Sequence, residues 1–143
     1  MNLSKHVKLT VALPYASGTA VREGAILDMS GWDGVLAICV HATIAASAVG
    51  DLHMEQDTDP LMGTEADLLG TAIAIATDDD NQVFIIDLYK PLERYVRAVV
   101  TKDTSNAQAE TVIYIQYRGQ KLPVADMGAD EYELHVSPAE GTK

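Results

Sequence analysis

The sequence predicts an all-β protein, an antiparallel β-sandwich or jelly-roll-like barrel of about eight strands with an extended C-terminal arm. Three observations predict it. Residues 83–101 are dense in β-branched and aromatic residues, which favour strands over helices. Several runs alternate apolar and polar residues with a period of two, the signature of a strand with two different faces. Turn residues punctuate the chain at short, fairly even spacing, and no long amphipathic helix interrupts them.

The organising stretch is residues 83–101, VFIIDLYKPLERYVRAVVT. Residues 83–88 are apolar apart from Asp87. In 94–101, Tyr95, Arg97 and Val99 point one way and Val96, Ala98 and Val100 the other. Pro91 cannot donate to a ladder and belongs at a corner or edge. The two segments are expected to form paired strands joined at a tight corner.

The other elements follow in chain order. Residues 6–13 alternate and make a first strand, and Pro14 to Gly18 reads as a turn or loop. Residues 24–29 form a short strand, ended by a tight turn in which Gly31 and Gly34 flank Trp32 and Asp33. Trp32 is expected to pack over the end of the sheet. Residues 35–42, VLAICVHA, are the most apolar strand. Residues 42–50 are small and weakly periodic, a turn between strands. Leu52, Met54 and Gln56 share one face of a strand at 52–56. Residues 57–63 are a loop by their Asp, Pro and Gly content. Residues 65–69 suit one helical turn with Thr64 as its N-cap. Residues 71–76 are a strand, 77–81 a charged turn and 102–108 a polar loop. In the last clear strand, 109–117, Thr111, Ile113, Ile115 and Tyr117 share one face, and Val112, Tyr114 and Gln116 the other.

Composition bounds the function. A chain of 143 residues, 48 % apolar, fits one domain with one sizeable core. A net charge of −11 argues against direct binding to nucleic acid, which needs clustered Lys and Arg, and against an anionic membrane surface. No apolar run reaches the roughly 20 residues needed to span a bilayer. The opening MNLSKHVKL lacks a signal-peptide h-region, so synthesis inside the cell is expected. Cys39 is the lone cysteine, which excludes an intrachain disulfide framework, and reads as a small buried hydrophobe.

Motifs that carry chemistry are sparse. Asp57, Asp59, Glu65 and Asp67 form one acidic cluster, and Asp78, Asp79 and Asp80 with Asn81 another. Neither matches a calcium loop, and both read as solvated. His6, His41, His53 and His135 show no metal-ligand spacing, and His41 reads as a hydrogen-bonded strand-end residue. No phosphate loop, GxSxG elbow or HExxH helix is present. Carboxylates paired across distant strands stay open as a reading. The expectation is a protein without catalytic residues, cofactor or metal.

Three segments together carry a family resemblance: MSGWDGVLAICV (29–40), DLLGTAIAIATDDDNQVFIIDLYKPLERYVRAVVTKDTSNA (67–107) and TVIYIQYRGQKLPV (111–124). In pattern and word order, over residues 28–124, they resemble the small all-β decoration, or cement, proteins of tailed double-stranded-DNA bacteriophage capsids. That resemblance implies a structural virion protein on the capsid exterior, synthesised in the host cytoplasm. It implies a homotrimer that clamps adjacent subunits of the major capsid protein, with no enzymatic activity and no cofactor. The alternatives are a phage tail or baseplate component, or a carbohydrate-binding sandwich with Trp32 and Tyr15 or Tyr89 as a thin aromatic set.

The chain divides into a β-sandwich domain with a short N-terminal arm, 1–124, and an acidic C-terminal extension, 125–143. Within the extension, EYELHV (131–136) alternates Tyr132, Leu134 and Val136 against charges, and is expected to add as a strand to a sheet edge. These three residues, with Leu3 and Lys5 of the N-terminal segment, are the candidate partner-binding residues.

Overall fold

The computed structural model describes residues 2–137 and 139–141. After a 3-10 turn at Leu3–Lys5 come ten strands: β1 (Val7–Gly18), β2 (Arg22–Glu23), β3 (Leu27–Asp28), β4 (Trp32–Ile44), β5 (Gly50–Asp57), β6 (Ala66–Asp67), β7 (Ile73–Ile75), β8 (Val83–Tyr89), β9 (Tyr95–Lys102) and β10 (Gln108–Gly119). They form two antiparallel sheets packed face to face, a β-sandwich. One sheet has the order β1-β10-β4-β8. The other has β2-β9-β5-β6, with β3 also on β9 and β7 also on β5.

The alternation read from the sequence sets the two sides of each sheet. Val96, Ala98 and Val100 of β9 lie opposite Gln56, Met54 and Leu52 of β5, and all but Gln56 are fully buried. From the facing sheet, Val35, Ala37 and Cys39 of β4 and Val112 and Tyr114 of β10 meet them with no exposure. Small aliphatics fill this core, and Tyr114 is its largest side chain. Burial pushes the Cys39 thiol up to about 12, so it stays protonated.

The two halves of the organising stretch do not pair with each other. β8 pairs with β4 in one sheet, and β9 pairs with β5 in the other. The corner at residues 90–94 carries the chain from sheet to sheet, with Lys90 at φ 52°. Both segments present one apolar face, and each turns it into the core from its own sheet.

Four further local expectations need correction. Pro14 to Gly18 continues β1 through two register shifts, because the long β10 supplies partners as far as Gln108. Of the strand expected at 24–29 only Leu27–Asp28 forms, as β3 on the edge of β9, and Arg22–Glu23 just before it pairs with β9 as β2. Between them Gly24 N–H donates to Ala98 C=O at 2.8 Å, while Ala98 N–H donates to the Tyr114 hydroxyl reaching across the core at 2.6 Å. A Cβ at Gly24 would stand 2.6 Å from that hydroxyl, so the interruption needs glycine. The helical turn at 65–69 is absent: Ala66–Asp67 is a strand on the free edge of β5. Thr64 caps no helix there; its N–H and hydroxyl donate to Asp57. His41 is buried and edge-on to Phe84 at 5.6 Å, with neither ring nitrogen hydrogen-bonded within the protein.

One end of the core holds charge. Lys102 of β9 and Glu110 of β10 face each other with unexposed side chains, Nζ to Oε2 2.8 Å, and Arg22 Nη1 meets the other Glu110 oxygen at 2.7 Å. Lys102 Nζ also donates to Gln108 C=O at 3.1 Å. Such pairing is what makes a buried carboxylate and ammonium tolerable.

Candidate interaction surfaces

The outward side of the four-stranded sheet follows from register alone. Val11, Ile113, Ile38 and Ile85 form one row across β1, β10, β4 and β8. Leu9, Ile115, Leu36 and Asp87 form the next. Val40 and Val83 extend the patch beside Thr111. Val11 is 60 % exposed, Val83 55 % and Ile85 49 %, values that mark an apolar face with nothing over it. In the row Val7, Tyr117, Gly34 and Tyr89, a Cβ on Gly34 would stand 2.3 Å from the Tyr117 ring, so glycine lets that ring lie flat. The single acid of the face, Asp87, accepts the Tyr117 hydroxyl at 2.5 Å. Burial, then this carboxylate, pushes the Tyr117 phenol up to about 12.

The outward side of the other sheet is its opposite. Asp51, His53, Glu55 and Asp57 line β5 beside Thr101, Val99, Arg97 and Tyr95 of β9. Arg97 is almost buried and is ringed by Glu55 at 2.6 Å, Glu23 at 2.9 Å and Glu65 at 3.1 Å. His53 lies within 4 Å of three carboxylates, those of Asp51, Glu55 and Asp67. Spacing along the chain hid this cluster, because Asp67 arrives from β6 across the register. The DLHME alternation of 51–55, which puts Asp51, His53 and Glu55 on one side, was the signal that could have found it.

The two acidic segments serve mainly as turn caps. Asp57 accepts N–H groups from Asp59 and Thr64, which hold its carboxyl below the usual range. Asp79 accepts the Ala76 N–H at 2.8 Å, and Asp80 the Ile44 N–H at 2.5 Å.

The terminal segments meet. Val124 N–H donates to Lys5 C=O and Leu9 N–H to Met127 C=O, so the chain beyond β10 runs along the free edge of β1. Gly128 has φ +80° and approaches Leu9 C=O so closely that a Cβ would collide with it. The Lys5 ammonium donates to the Tyr132 hydroxyl and sits 4.9 Å from the centre of its ring. Leu3 lines a small apolar hollow of about 280 Å³ with Val7, Tyr117 and Leu122. Of the five candidate partner-binding residues, Lys5 and Tyr132 are thus brought together. Residues 131–136 form no strand in the single chain: Tyr132 and Leu134 are half exposed, and Val136 is 95 % exposed. The edge of β1 is taken earlier, by residues 124–127, which leaves the Tyr132-Leu134-Val136 stripe without a ladder.

Two open surface hollows lie beside Trp32. One of about 390 Å³ lies against Met29, Lys90 and Arg94, and one of about 360 Å³ against Gly31 and Lys121. Trp32 is half-buried at the sheet end, its ring against Gly119. No helix among the described residues is long and apolar enough to cross a membrane.

No protein-family model matches the sequence, and no curated protein matches it. Among solved structures the fold is similar to the crystal structure of PBSX exported protein XepA, with a TM-score of 0.55 and 17 % identity. The match covers 100 % of this chain and 44 % of that one, so the chain spans less than half the length of XepA. At this identity the likeness shows the fold, a β-sandwich, and nothing of XepA's activity.

Proposed function

We propose that the protein is a structural component of a tailed-phage particle, a decoration protein that binds the outer surface of the capsid and clamps adjacent major capsid subunits. The observation that carries it is the apolar outer face of the four-stranded sheet, which suits the chain to assembly with further protein chains rather than to a small molecule. The sequence resemblance to decoration proteins supports the same reading, and the fold shared with XepA is compatible with a phage structural role.

The occupant of that face is a second copy of this chain, in a homotrimer. Four strands spaced about 4.8 Å apart make a face about 19 Å wide. Its footprint of about 400 Å² is half of the roughly 800 Å² each partner brings to a stable interface. Side-chain relief raises the area above this flat footprint. Copies carrying −11 each repel over most of their surface. Here the repulsion is least, since Asp87 is the one acid and it is hydrogen-bonded. The terminal arms, with Leu3, Lys5, Tyr132, Leu134 and Val136, then reach the shell, and the unpaired 131–136 stripe adds to a neighbour's edge.

Light scattering and co-sedimentation with undecorated capsids test the reading. A trimer at micromolar concentration that binds shells, and an Ile38→Lys, Ile85→Lys variant that is folded and monomeric, are expected. A wild-type monomer that does not bind shells overturns it. Binding to a tail or baseplate fraction, or to glycans through the hollows beside Trp32, would transfer the protein to one of those classes instead.

A further inference from the structure

We propose that the charged outer face carries a binding site for a divalent transition metal of the zinc class, held by His53 Nε2, Glu55 Oε1 and Asp67 Oδ1. This inference is independent of the capsid reading, since it concerns the opposite sheet.

The backbone brings the donors together. His53 and Glu55 are two residues apart on β5 and therefore share a face. Asp67 of β6 lies directly opposite Glu55 in the antiparallel register. His53 Nε2 stands 3.8 Å from Glu55 Oε1 and 3.5 Å from Asp67 Oδ1. Zinc sits about 2.0–2.2 Å from imidazole nitrogen and carboxylate oxygen. Two ligands on one tetrahedral ion are therefore about 3.3–3.5 Å apart, close to the separations in place. Among the described residues this is the one group of His, Cys, Asp or Glu with converging donor atoms.

The two inner donors are aimed by groups outside the ligand set. Asp51 Oδ1 lies 2.6 Å from His53 Nδ1, which fixes that nitrogen as the protonated one and leaves Nε2 free to ligate. Asp51 is itself steadied by the Thr101 hydroxyl at 2.5 Å. This carboxylate–histidine–metal arrangement is the usual support of a ligating histidine. On the other side Arg97 Nε donates to Glu55 Oε2 at 2.6 Å and turns Oε1 toward His53. His53 and Glu55 side chains are only 13 % and 12 % exposed, so both are held in place.

Charge favours a cation. Asp51, Glu55 and Asp67 surround the imidazole, and Arg97, which pairs with Glu55, is already shared with Glu23 and Glu65. A hollow of about 380 Å³ bordered by His53, Asp67 and Gly70 gives water room to complete the coordination. One nitrogen with two carboxylate oxygens suits zinc, cobalt or nickel better than calcium or magnesium, which take oxygen ligands. A bound ion would tie β6, and the loop that leads to it, to the central strand β5.

The competing arrangement is a protonated His53 ion-paired to its carboxylates with no metal. Isothermal titration of the metal-free full chain with zinc chloride separates the two. Saturable binding of one ion per chain is expected, with a raised melting temperature and no comparable heat from calcium or magnesium. His53→Gln and Asp67→Asn should weaken binding by about tenfold or more, as should Asp51→Asn through loss of the orienting carboxylate. His135→Gln should leave it unchanged. Circular dichroism establishes that each variant is folded, and cobalt substitution should give a visible tetrahedral spectrum that His53→Gln abolishes. Absence of zinc binding by the wild-type chain, or binding undiminished in folded His53→Gln, overturns the proposal.

Discussion

The two outer faces of the sandwich are built on the same backbone plan and do opposite things. Ile113, Ile38 and Ile85 make one face nearly free of charge, while Glu55, Arg97 and His53 make the other a dense ion network. Yet both faces are made of β-branched and long side chains in strict alternation with the core. The difference teaches that a strand's inward residues decide the fold, whereas its outward residues are free to decide what the surface meets. The apolar face has few polar groups, and its one acid, Asp87, is held by the Tyr117 hydroxyl, so covering the face is favourable. The charged face pairs Arg97 with Glu55, Glu23 and Glu65 within the chain and gains little from an apolar cover.

Breaking the charged face should have the largest effect. Arg97→Met leaves Glu55, Glu23 and Glu65 close together without their common cation, and should destabilise the fold by about 3 kcal/mol in urea denaturation. A change under about 1 kcal/mol would show that the network is solvent-screened despite the low exposure of Arg97.

Charging the apolar face should separate stability from assembly. The Ile38→Lys, Ile85→Lys variant should lose about 1 kcal/mol or less as a monomer, because both side chains point away from the core and lysine can reach water. The same variant should not trimerise. A large loss of monomer stability would mean that the face belongs to the core after all.

A third, smaller effect concerns acid. His41 lies on the inward side of β4, directly behind the apolar face. Burial, opposed by Glu110 and reinforced by Lys102, holds its pKa below the ordinary 6.5. The unfolded chain therefore takes up a proton that the native chain refuses. This contribution to stability is whole above pH 6.5 and is lost as the pH falls through that value toward the lower native one. Replacing His41 with Phe should flatten the pH dependence of stability in that window, and an unchanged slope would point to other groups.

The smallest effect is expected from deleting residues 125–143. The truncated chain loses the Leu9–Met127 hydrogen bond and the exposed Lys5–Tyr132 contact, together a cost of less than about 1 kcal/mol. Its far-UV circular dichroism should match that of the full chain, while attachment to shells should weaken. Loss of folding would place the tail within the domain.

The sandwich class was legible in the sequence because period-two alternation is a local property. It told which residues of 94–101 and 109–117 face inward, and Val96, Val100, Val112 and Tyr114 are fully buried, whereas the outward Arg97 and Val99 are buried too, under the charged network of the outer face. What alternation cannot carry is the identity of the partner strand. Residues 83–88 and 94–101 looked like a hairpin because they are neighbours in the chain, but β8 pairs along β4 and β9 along the whole of β5, in different sheets. For the same reason the parity of Glu110 was readable and its burial beside Lys102 was not: that pair joins two sheets. The isolated EYELHV pattern advertised a strand, but a strand needs an edge, and residues 124–127 reach the edge of β1 first. His53 and Glu55 announced their shared face, whereas Asp67 joined them only through the pairing of β6 with β5. The sequence by itself determined the class of fold and the side each residue takes. Tertiary structure alone decided which strands meet, because pairing is settled by summed contacts between residues far apart in the chain.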